Sequence, residues 1–193
     1  TANQLNEAWN EVDRTETNPE LLLRVLERKG HLTPWQSSKL LRGDTDGYLL
    51  GGYRLLYKVA SGSFGRVFRA DDPKTGRVVA IKVMAAALAG NRIARLRFMR
   101  EAQNATVCHE RIVPVHAVHE IDGLPYLVMQ YVGRESVQSR LDRIGPLLLE
   151  EIVRIGLQTA SGLAAAHAHG LIHRDIKPAN LLLDGEPGAS APG

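Results

Sequence analysis

The chain has 193 residues, of which 44% are hydrophobic and 23% are charged, so it can bury a core and is not a disordered chain. Its formal net charge is +3, but the lysines and arginines are spread along the chain without the interleaved aromatic residues of a nucleic-acid surface, so we expect no nucleic-acid partner. No stretch approaches the roughly 18 consecutive apolar residues of a membrane span, and no signal peptide is visible in the mostly polar residues 1–30.

One cysteine, Cys108, is present, and a single cysteine cannot form an internal disulfide. This fits a reducing compartment, so we expect a cytoplasmic domain whose membrane anchor, if the protein has one, lies beyond residue 193. The residues before Cys108 predict that it stands at the end of a buried helix.

Two short helices are predicted first. Asn18 and Pro19 form a typical helix start, with Asn as the cap and Pro at the first helical position, and Gly30 ends the helix. Thr33 and Pro34 begin a second helix in the same way. The resulting helical hairpin has few apolar residues, so we expect it to pack on the rest of the chain or on a partner. With the linker that follows, the hairpin forms the first predicted unit, residues 1–46.

The sequence pattern changes from helical to β-type at Tyr53. Turn residues separate most of the β-type segments, and the turns at 72–76 and 122–123 are suited to antiparallel hairpins. One predicted helix, from Arg92 to about Cys108, interrupts the series. The predicted strands are 53–60, 66–71, 77–84, 112–119 and 125–131.

Beyond residue 131 the chain is predicted to be helical, and its longest helix runs from Leu149 to His169. Apolar and small residues recur there at intervals of three or four, which predicts a helix with one face in the core. The chain ends in a low-complexity tail, residues 185–193, that cannot build a packed element. The recurring helix residues are Ile152, Ile155, Thr159, Leu163 and Ala166.

A glycine-rich segment, Ala60-Ser61-Gly62-Ser63-Phe64-Gly65-Arg66-Val67, lies between the first two of these strands. Glycine in such a segment lets the backbone come close to phosphate oxygens and donate N–H groups to them. Taken alone, the segment is explained equally well as a hairpin turn rich in Gly and Ser.

Lys82 lies in the otherwise apolar segment Val79-Ala80-Ile81-Lys82, where an unpaired ammonium would be costly. An anionic partner is therefore expected, and Glu101 lies in the one helix predicted between the third and fourth strands. Each residue taken singly also fits an ordinary role, as a strand-end lysine that reaches solvent and an exposed helix glutamate.

The octet His173-Arg174-Asp175-Ile176-Lys177-Pro178-Ala179-Asn180 follows the longest helix and precedes an apolar segment. At every polar position it matches the catalytic-loop signature of protein kinases, including the step from Asp175 to Asn180. A capped polar turn could explain either of these residues alone, but not the whole octet in register with Lys82 and Glu101.

These three motifs, in this order, resemble the protein kinase family over residues 50–184, and look most like the bacterial, eukaryotic-like serine/threonine kinases. The segment 162–167 before the octet resembles the segment that precedes the catalytic loop in those enzymes. The segment Leu32-Thr33-Pro34-Trp35-Gln36 resembles segments found before kinase domains in planctomycete-type proteins.

The resemblance implies catalytic roles for the octet. Asp175 would orient the substrate hydroxyl and accept its proton, Lys177 would neutralise charge on the transferring γ-phosphate, and Asn180 would bind Mg²⁺. It also implies that Lys82 holds the α- and β-phosphates of ATP and that Glu101 positions Lys82.

The same resemblance implies a binding pocket for ATP. Met129 would be the gatekeeper, and Gln130, Tyr131 and Val132 would form the hinge segment, whose backbone meets the adenine edge. Ala60 stands where the family usually has its first glycine, and this departure, a small residue that the loop should tolerate, would stiffen the loop. The other residues implied to line the pocket are Val59, Gly62, Gly65, Val67, Ala80 and Leu182.

The implied fold class is α+β: a two-lobe protein-kinase fold, residues 53–184, with an antiparallel sheet and one helix in the N-lobe and an incomplete helical C-lobe, preceded by the hairpin. The implied function is phosphorylation of serine or threonine hydroxyls on protein substrates, with ATP and Mg²⁺ as cofactors. The sequence contains no Asp-Phe-Gly segment, so we expect a domain truncated before that motif and inactive alone. The alternatives are a non-catalytic, pseudokinase-like nucleotide-binding or scaffolding module, and an interaction module formed by the hairpin.

Overall fold

The computed structural model describes residues 2–12, 18–103, 107–133 and 135–184, and only the backbone of residues 101–103. It begins with three helices, α1 (Ala2–Glu11), α2 (Pro19–Arg28) and α3 (Pro34–Leu41), which we call the helical cap. The two helices of the predicted hairpin are present with their predicted starts, since the Asn18 and Thr33 side chains accept backbone N–H groups of α2 and α3. Helix α1 packs on α2 and was not predicted.

A six-stranded antiparallel sheet follows, in the order β1-β2-β3-β4-β6-β5. Helix α4 (Arg92–Gln103) lies between β4 and β5 in the chain and contacts β5 and β6. The predicted sheet is confirmed, although the fourth predicted strand begins at Val115 rather than at residue 112. The strands are β1 (Leu49–Leu50), β2 (Tyr53–Gly62), β3 (Gly65–Asp72), β4 (Arg77–Met84), β5 (Val115–Ile121) and β6 (Leu124–Gln130).

The sheet separates two apolar clusters, as alternating side chains on its strands require. One cluster includes Leu55, Phe68, Ile81 and Val128. The other packs beneath α4 and consists of Met84, Ala94, Phe98 and Leu127, with Leu88 and Met129 against it. Each face of the sheet therefore carries an apolar cluster.

The helical cap is joined to the sheet through α3. Trp35 packs on the first cluster, with its ring centroid 6.0 Å from that of Phe68. Thr33 Oγ1 donates to the Leu56 carbonyl at 2.5 Å, and Gln36 Nε2 donates to the Leu55 carbonyl at 2.8 Å. These carbonyls lie where the β2 register is irregular, so side chains of the cap satisfy backbone groups at a bulge. The expectation that the hairpin packs on the following domain is confirmed.

The remaining chain forms the start of a helical lobe. Its elements are a short strand β7 (Glu135–Ser136), the helices α5 (Val137–Ile144) and α6 (Leu149–Ala168), and a short strand β8 (Leu182–Leu183) that pairs antiparallel with β7. Arg140 links β7 to α6, with Nη2 2.6 Å from Glu151 Oε1 and Nη1 3.8 Å from Glu135 Oε1. No helix in the described ranges is long and apolar enough to cross a membrane.

Two predictions about burial are corrected. Ile152, predicted to face the core from the longest helix, is 52% exposed, because the described residues place nothing over that side of α6. The other four recurring residues are half-buried, and Gly162 is the residue of α6 that is fully buried. Cys108 is exposed and lies outside α4 rather than at a buried helix end.

Candidate active site

The glycine-rich segment forms the turn between β2 and β3, where Gly62 pairs with Gly65. A Cβ added to Gly65 would lie 2.1 Å from the Val83 carbonyl oxygen, so close contact with β4 requires glycine at this position. A Cβ added to Gly62 would meet no atom within 4 Å. Steric need therefore explains the glycine at position 65 but not the one at position 62.

Two cross-strand rows bring predicted pocket residues together. Val67 on β3 is opposite Lys82 on β4, and Ala80 on β4 is opposite Met129 on β6. Directly opposed residues share one face of a sheet, so each row places two of the predicted residues side by side. Val59 and Ala60 lie at the exposed end of β2, where Ala60 pairs with Val67.

Lys82 is half-buried, with Nζ 5.9 Å from the centroid of the Phe98 ring on α4. This places the ammonium against the helix that carries Glu101. The Glu101 side chain lies outside the described residues, so its predicted pairing with Lys82 stays a prediction.

The hinge segment begins where β6 ends, at Gln130. The Gln130 N–H donates to the Pro114 carbonyl at 3.0 Å, which fixes the start of the segment to the chain leading into β5. Met129 packs against the apolar cluster beneath α4, and Val132 is half-buried. These positions are compatible with a gatekeeper followed by an accessible backbone.

The octet brings two of the predicted residues, Lys177 and Asn180, to the carboxylate of a third, Asp175. Asn180 Nδ2 donates to the Asp175 carbonyl at 2.8 Å and to Asp175 Oδ2 at 2.9 Å. Lys177 Nζ lies 3.0 Å from the same Oδ2. The hydrogen bond from Lys177, and then that from Asn180, lower the pKa of Asp175 from its ordinary value. Like any exposed aspartate, Asp175 is ionised at neutral pH, and these two partners favour the ionised form further.

Backbone contacts hold this octet against the hinge side of the lobe. Pro178–Asn180 form a single 3₁₀ turn, in which the Asn180 N–H donates to the Lys177 carbonyl at 2.9 Å. The strand β8 pairs with β7, and the Val137 N–H donates to the Leu181 carbonyl at 2.8 Å. Leu182, predicted to close the pocket from below, lies on β8 opposite Ser136 and is 48% exposed.

The donor atoms of the octet fit a magnesium ion. Since Asn180 turns Nδ2 toward Asp175, its amide oxygen would be the ligand atom, and Mg²⁺ prefers oxygen ligands from one or two side chains completed by phosphate and water. Within the described ranges no group of three His, Cys, Asp or Glu side chains could hold a metal ion.

A polar cluster beside the hinge was missed at the sequence level. Tyr57 on β2 and Arg69 on β3 meet Tyr131 of the hinge segment, with the two tyrosine hydroxyls 2.9 Å apart. The register of β2 against β3 pairs Tyr57 with Arg69, and the chain leaving β6 brings Tyr131 to them; β2 has two irregularities that a single sequence does not reveal.

Comparison with known proteins agrees with this geometry. The protein kinase domain family matches residues 53–189. Over 142 residues the chain is 39% identical to the serine/threonine-protein kinase PknE of Mycobacterium tuberculosis, covering 73% of this chain and 25% of that protein. It is 39% identical over 138 residues to the probable serine/threonine-protein kinase pknA2 of Bifidobacterium longum, covering 69% and 18% of the two chains.

A similar solved structure is that of the Mycobacterium tuberculosis PknI kinase domain, with a TM-score of 0.62 and 33% identity, covering 72% of this chain and 58% of that one. The fold and the catalytic octet define a protein of the kinase class. The chain belongs to the protein kinase domain family and is related to bacterial serine/threonine kinases. It spans about a quarter or less of the length of these curated relatives.

Proposed function

We propose that the protein containing this chain transfers the γ-phosphate of ATP to serine or threonine hydroxyls of protein substrates. The observation that carries the proposal is the arrangement of Lys177 and Asn180 around the Asp175 carboxylate. Both partners favour the ionised carboxylate and lower its pKa, and the matching kinase family gives the cluster its chemical context.

The sheet supplies the ATP site in this proposal. Ala80 and Met129 contact the adenine from the N-lobe side, and the backbone of Gln130 and Val132 meets its edge. Lys82 binds the α- and β-phosphates, with Glu101 as its partner. The pocket is completed from the glycine-rich turn and from β8 by Val59, Ala60, Gly62, Gly65, Val67 and Leu182.

The octet supplies the chemistry. Asp175 accepts the proton of the substrate hydroxyl while the hydroxyl oxygen forms a bond to the γ-phosphorus. The bond between the γ-phosphorus and the bridging β-phosphate oxygen breaks, which releases ADP. Lys177 places positive charge beside the transferring group. The Asn180 amide oxygen would hold Mg²⁺, which when bound neutralises charge on the phosphates.

The chain of 193 residues alone is expected to have little or no phosphotransfer activity. In the family a second magnesium ligand comes from the aspartate of Asp-Phe-Gly, and this segment does not occur in the sequence. The likeness of residues 32–36 to segments that precede planctomycete-type kinase domains supports two further proposals. The protein is of planctomycete type, and the helical cap serves in docking.

The test is a phosphotransfer assay on the full-length protein that contains this chain, with labelled ATP and mass spectrometry of the acceptor residues. Asp175→Asn is expected to lower the rate by about 10²–10⁴-fold, the usual contribution of a general base. Asp142→Asn is the control, because Asp142 is an exposed aspartate on α5 whose carboxylate accepts a hydrogen bond from Gln138 on the same helix. Equal rates for wild type and Asp175→Asn would contradict the assignment. A protein that binds ATP but transfers no phosphate would support the non-catalytic alternative.

A further inference from the structure

Tyr57, Arg69 and Tyr131 form a compact group that we call the tyrosine–arginine cluster. The hydroxyls of Tyr57 and Tyr131 share a hydrogen bond of 2.9 Å, and Arg69 Nη1 donates to Tyr57 Oη at 3.5 Å. The guanidinium carbon lies 5.6 Å from the centroid of the Tyr57 ring and 5.2 Å from that of the Tyr131 ring. One cation therefore contacts both aromatic rings at cation–π distance.

The cluster lies beside the proposed adenine pocket. Tyr57 is directly opposite Arg69, Arg69 is directly opposite Ala80, and Ala80 is opposite Met129. These four residues thus form one row across the sheet and share one of its faces. The neighbours of Arg69 on β3, Phe68 and Ala70, belong to the core on the opposite face.

The position of Arg69 is energetically unfavourable, which suggests a role beyond packing. Its Nε is buried and has no hydrogen-bond partner within the described part of the chain, and an unsatisfied buried donor lowers stability. The contacts with the two rings offset part of this cost. Buried polar atoms without a hydrogen-bond partner are rare in folded proteins, and such exceptions concentrate at functional positions.

The hinge segment depends on such contacts for its position. After β6 ends at Gln130, residues 131–133 form neither helix nor strand. The Gln130 N–H is held by Pro114, and the Tyr131 hydroxyl connects the next residue to β2. Backbone groups that recognise a ligand need to be held within about 0.5 Å of their productive positions.

We propose that Tyr57 and Arg69 are positioning residues that hold Tyr131 and thereby set the hinge backbone for binding the adenine base. This inference rests on the proposed function, because it assigns a ligand to the hinge. It concerns the base alone, since the cluster shares its row with Ala80 and Met129 and not with Lys82.

The experiment compares two parts of ATP as separate ligands of the 193-residue chain: adenosine, and inorganic tripolyphosphate with Mg²⁺. Tyr57→Phe and Tyr131→Phe each remove one hydroxyl and keep the ring. Both are expected to weaken adenosine binding by about three- to tenfold, as loss of one hydrogen bond does, and to leave tripolyphosphate binding unchanged. The double variant should lose no more than Tyr57→Phe alone, because Tyr57→Phe already removes the hydrogen bond between the two hydroxyls.

Tyr48→Phe is the matched control, since the Tyr48 hydroxyl donates to the Asp44 carbonyl far along the chain from the hinge. Equal losses for adenosine and tripolyphosphate, or no loss for either, would overturn the inference. If Lys82→Met weakens tripolyphosphate binding while adenosine binds Tyr57→Phe as it binds wild type, this inference fails and the proposed ATP site stands. A wild-type chain that binds neither ligand would overturn both.

Discussion

At the scale of single residues, Gly62 and Gly65 belong to the same turn but differ in the space around them. A Cβ at Gly65 would meet the Val83 carbonyl at 2.1 Å, whereas a Cβ at Gly62 would meet open space. Gly65→Ala is therefore expected to lower the free energy of unfolding by about 1–3 kcal/mol, as overpacking does.

Gly62→Ala is the control for folding and should leave the free energy of unfolding within about 0.5 kcal/mol of wild type. Because its open side is the proposed approach to phosphate, it should weaken binding of Mg·ATP instead. Denaturant unfolding and nucleotide titration of both variants separate the two effects. Equal destabilisation by both substitutions would contradict the steric distinction.

A second residue-scale prediction concerns Tyr131. Burial, and then the hydrogen bond with Tyr57, raise the pKa of Tyr131 from 10.0 to about 12, against the opposing influence of Arg69. The folded chain thus favours the protonated phenol, so the associated stability is present below pH 10 and is lost as the pH rises through about 12.

The free energy of unfolding should consequently fall less steeply over this alkaline range in Tyr131→Phe than in wild type. In a titration followed by tyrosinate absorbance, the component that ionises at the highest pH should be missing from the same variant. Superimposable pH profiles of the two proteins would show that Tyr131 titrates normally.

Contacts within one motif can be predicted from the sequence, whereas contacts between distant residues cannot. Asp175, Lys177 and Asn180 are neighbours in the chain, so their motif alone predicts that they meet, and they do. Tyr57 and Tyr131 are 74 positions apart. Their contact depends on irregular strand register, which no local pattern encodes.

At the scale of elements, the cap depends on two adjacent buried side chains of α3 that differ in their hydrogen bonds. Gln36 and Ser37 are each 3% exposed. Gln36 donates to the Leu55 carbonyl, but the Ser37 hydroxyl has no partner among the described residues. Gln36→Ala leaves that carbonyl unsatisfied and is expected to lower the free energy of unfolding by about 1–3 kcal/mol.

Ser37→Ala should be neutral or stabilising, because it removes an unsatisfied hydroxyl and improves helix propensity. Denaturant unfolding of the two variants provides the comparison. A cost for Ser37→Ala that equals the cost for Gln36→Ala would argue against the hydrogen bond as the feature that joins cap and sheet.

Element boundaries followed from local signals where those signals were strong. Asn18, Thr33 and the apolar alternation from Tyr53 placed two helices and most strands of the sheet. Helix α1 lacks acidic residues in its first turn and basic residues in its last, so no signal marked it. The exposure of Ile152 could not be predicted either, because helical periodicity identifies an apolar face but not what covers it.

At the scale of the whole molecule, the chain carries an uncovered apolar face on α6. Leu149 is 75% exposed, Leu157 is 68% exposed and Val153 between them is 52% exposed. A contiguous apolar surface of this kind promotes association. The 193-residue chain is expected to self-associate as its concentration rises, and Leu157→Glu should reduce this.

Leu41→Glu is the control, because Leu41 is 51% exposed on the distant helix α3 and a scattered apolar residue has little effect. Light scattering across a concentration series distinguishes the two variants. A wild-type chain that stays monomeric throughout would contradict the prediction.

The proposed ATP site is tested most directly by titrating Mg·ATP into the 193-residue chain and its Lys82→Met variant. Lys82 lies on β4 opposite Val67 and against Phe98 of α4, where its ammonium is proposed to bind two phosphates. Lys82→Met is expected to weaken binding by at least about tenfold, as loss of a charged hydrogen bond does, while Lys74→Met in the exposed turn before β4 binds as wild type does. Equal affinity of wild type and Lys82→Met for Mg·ATP would contradict the assignment of this sheet face as the nucleotide site.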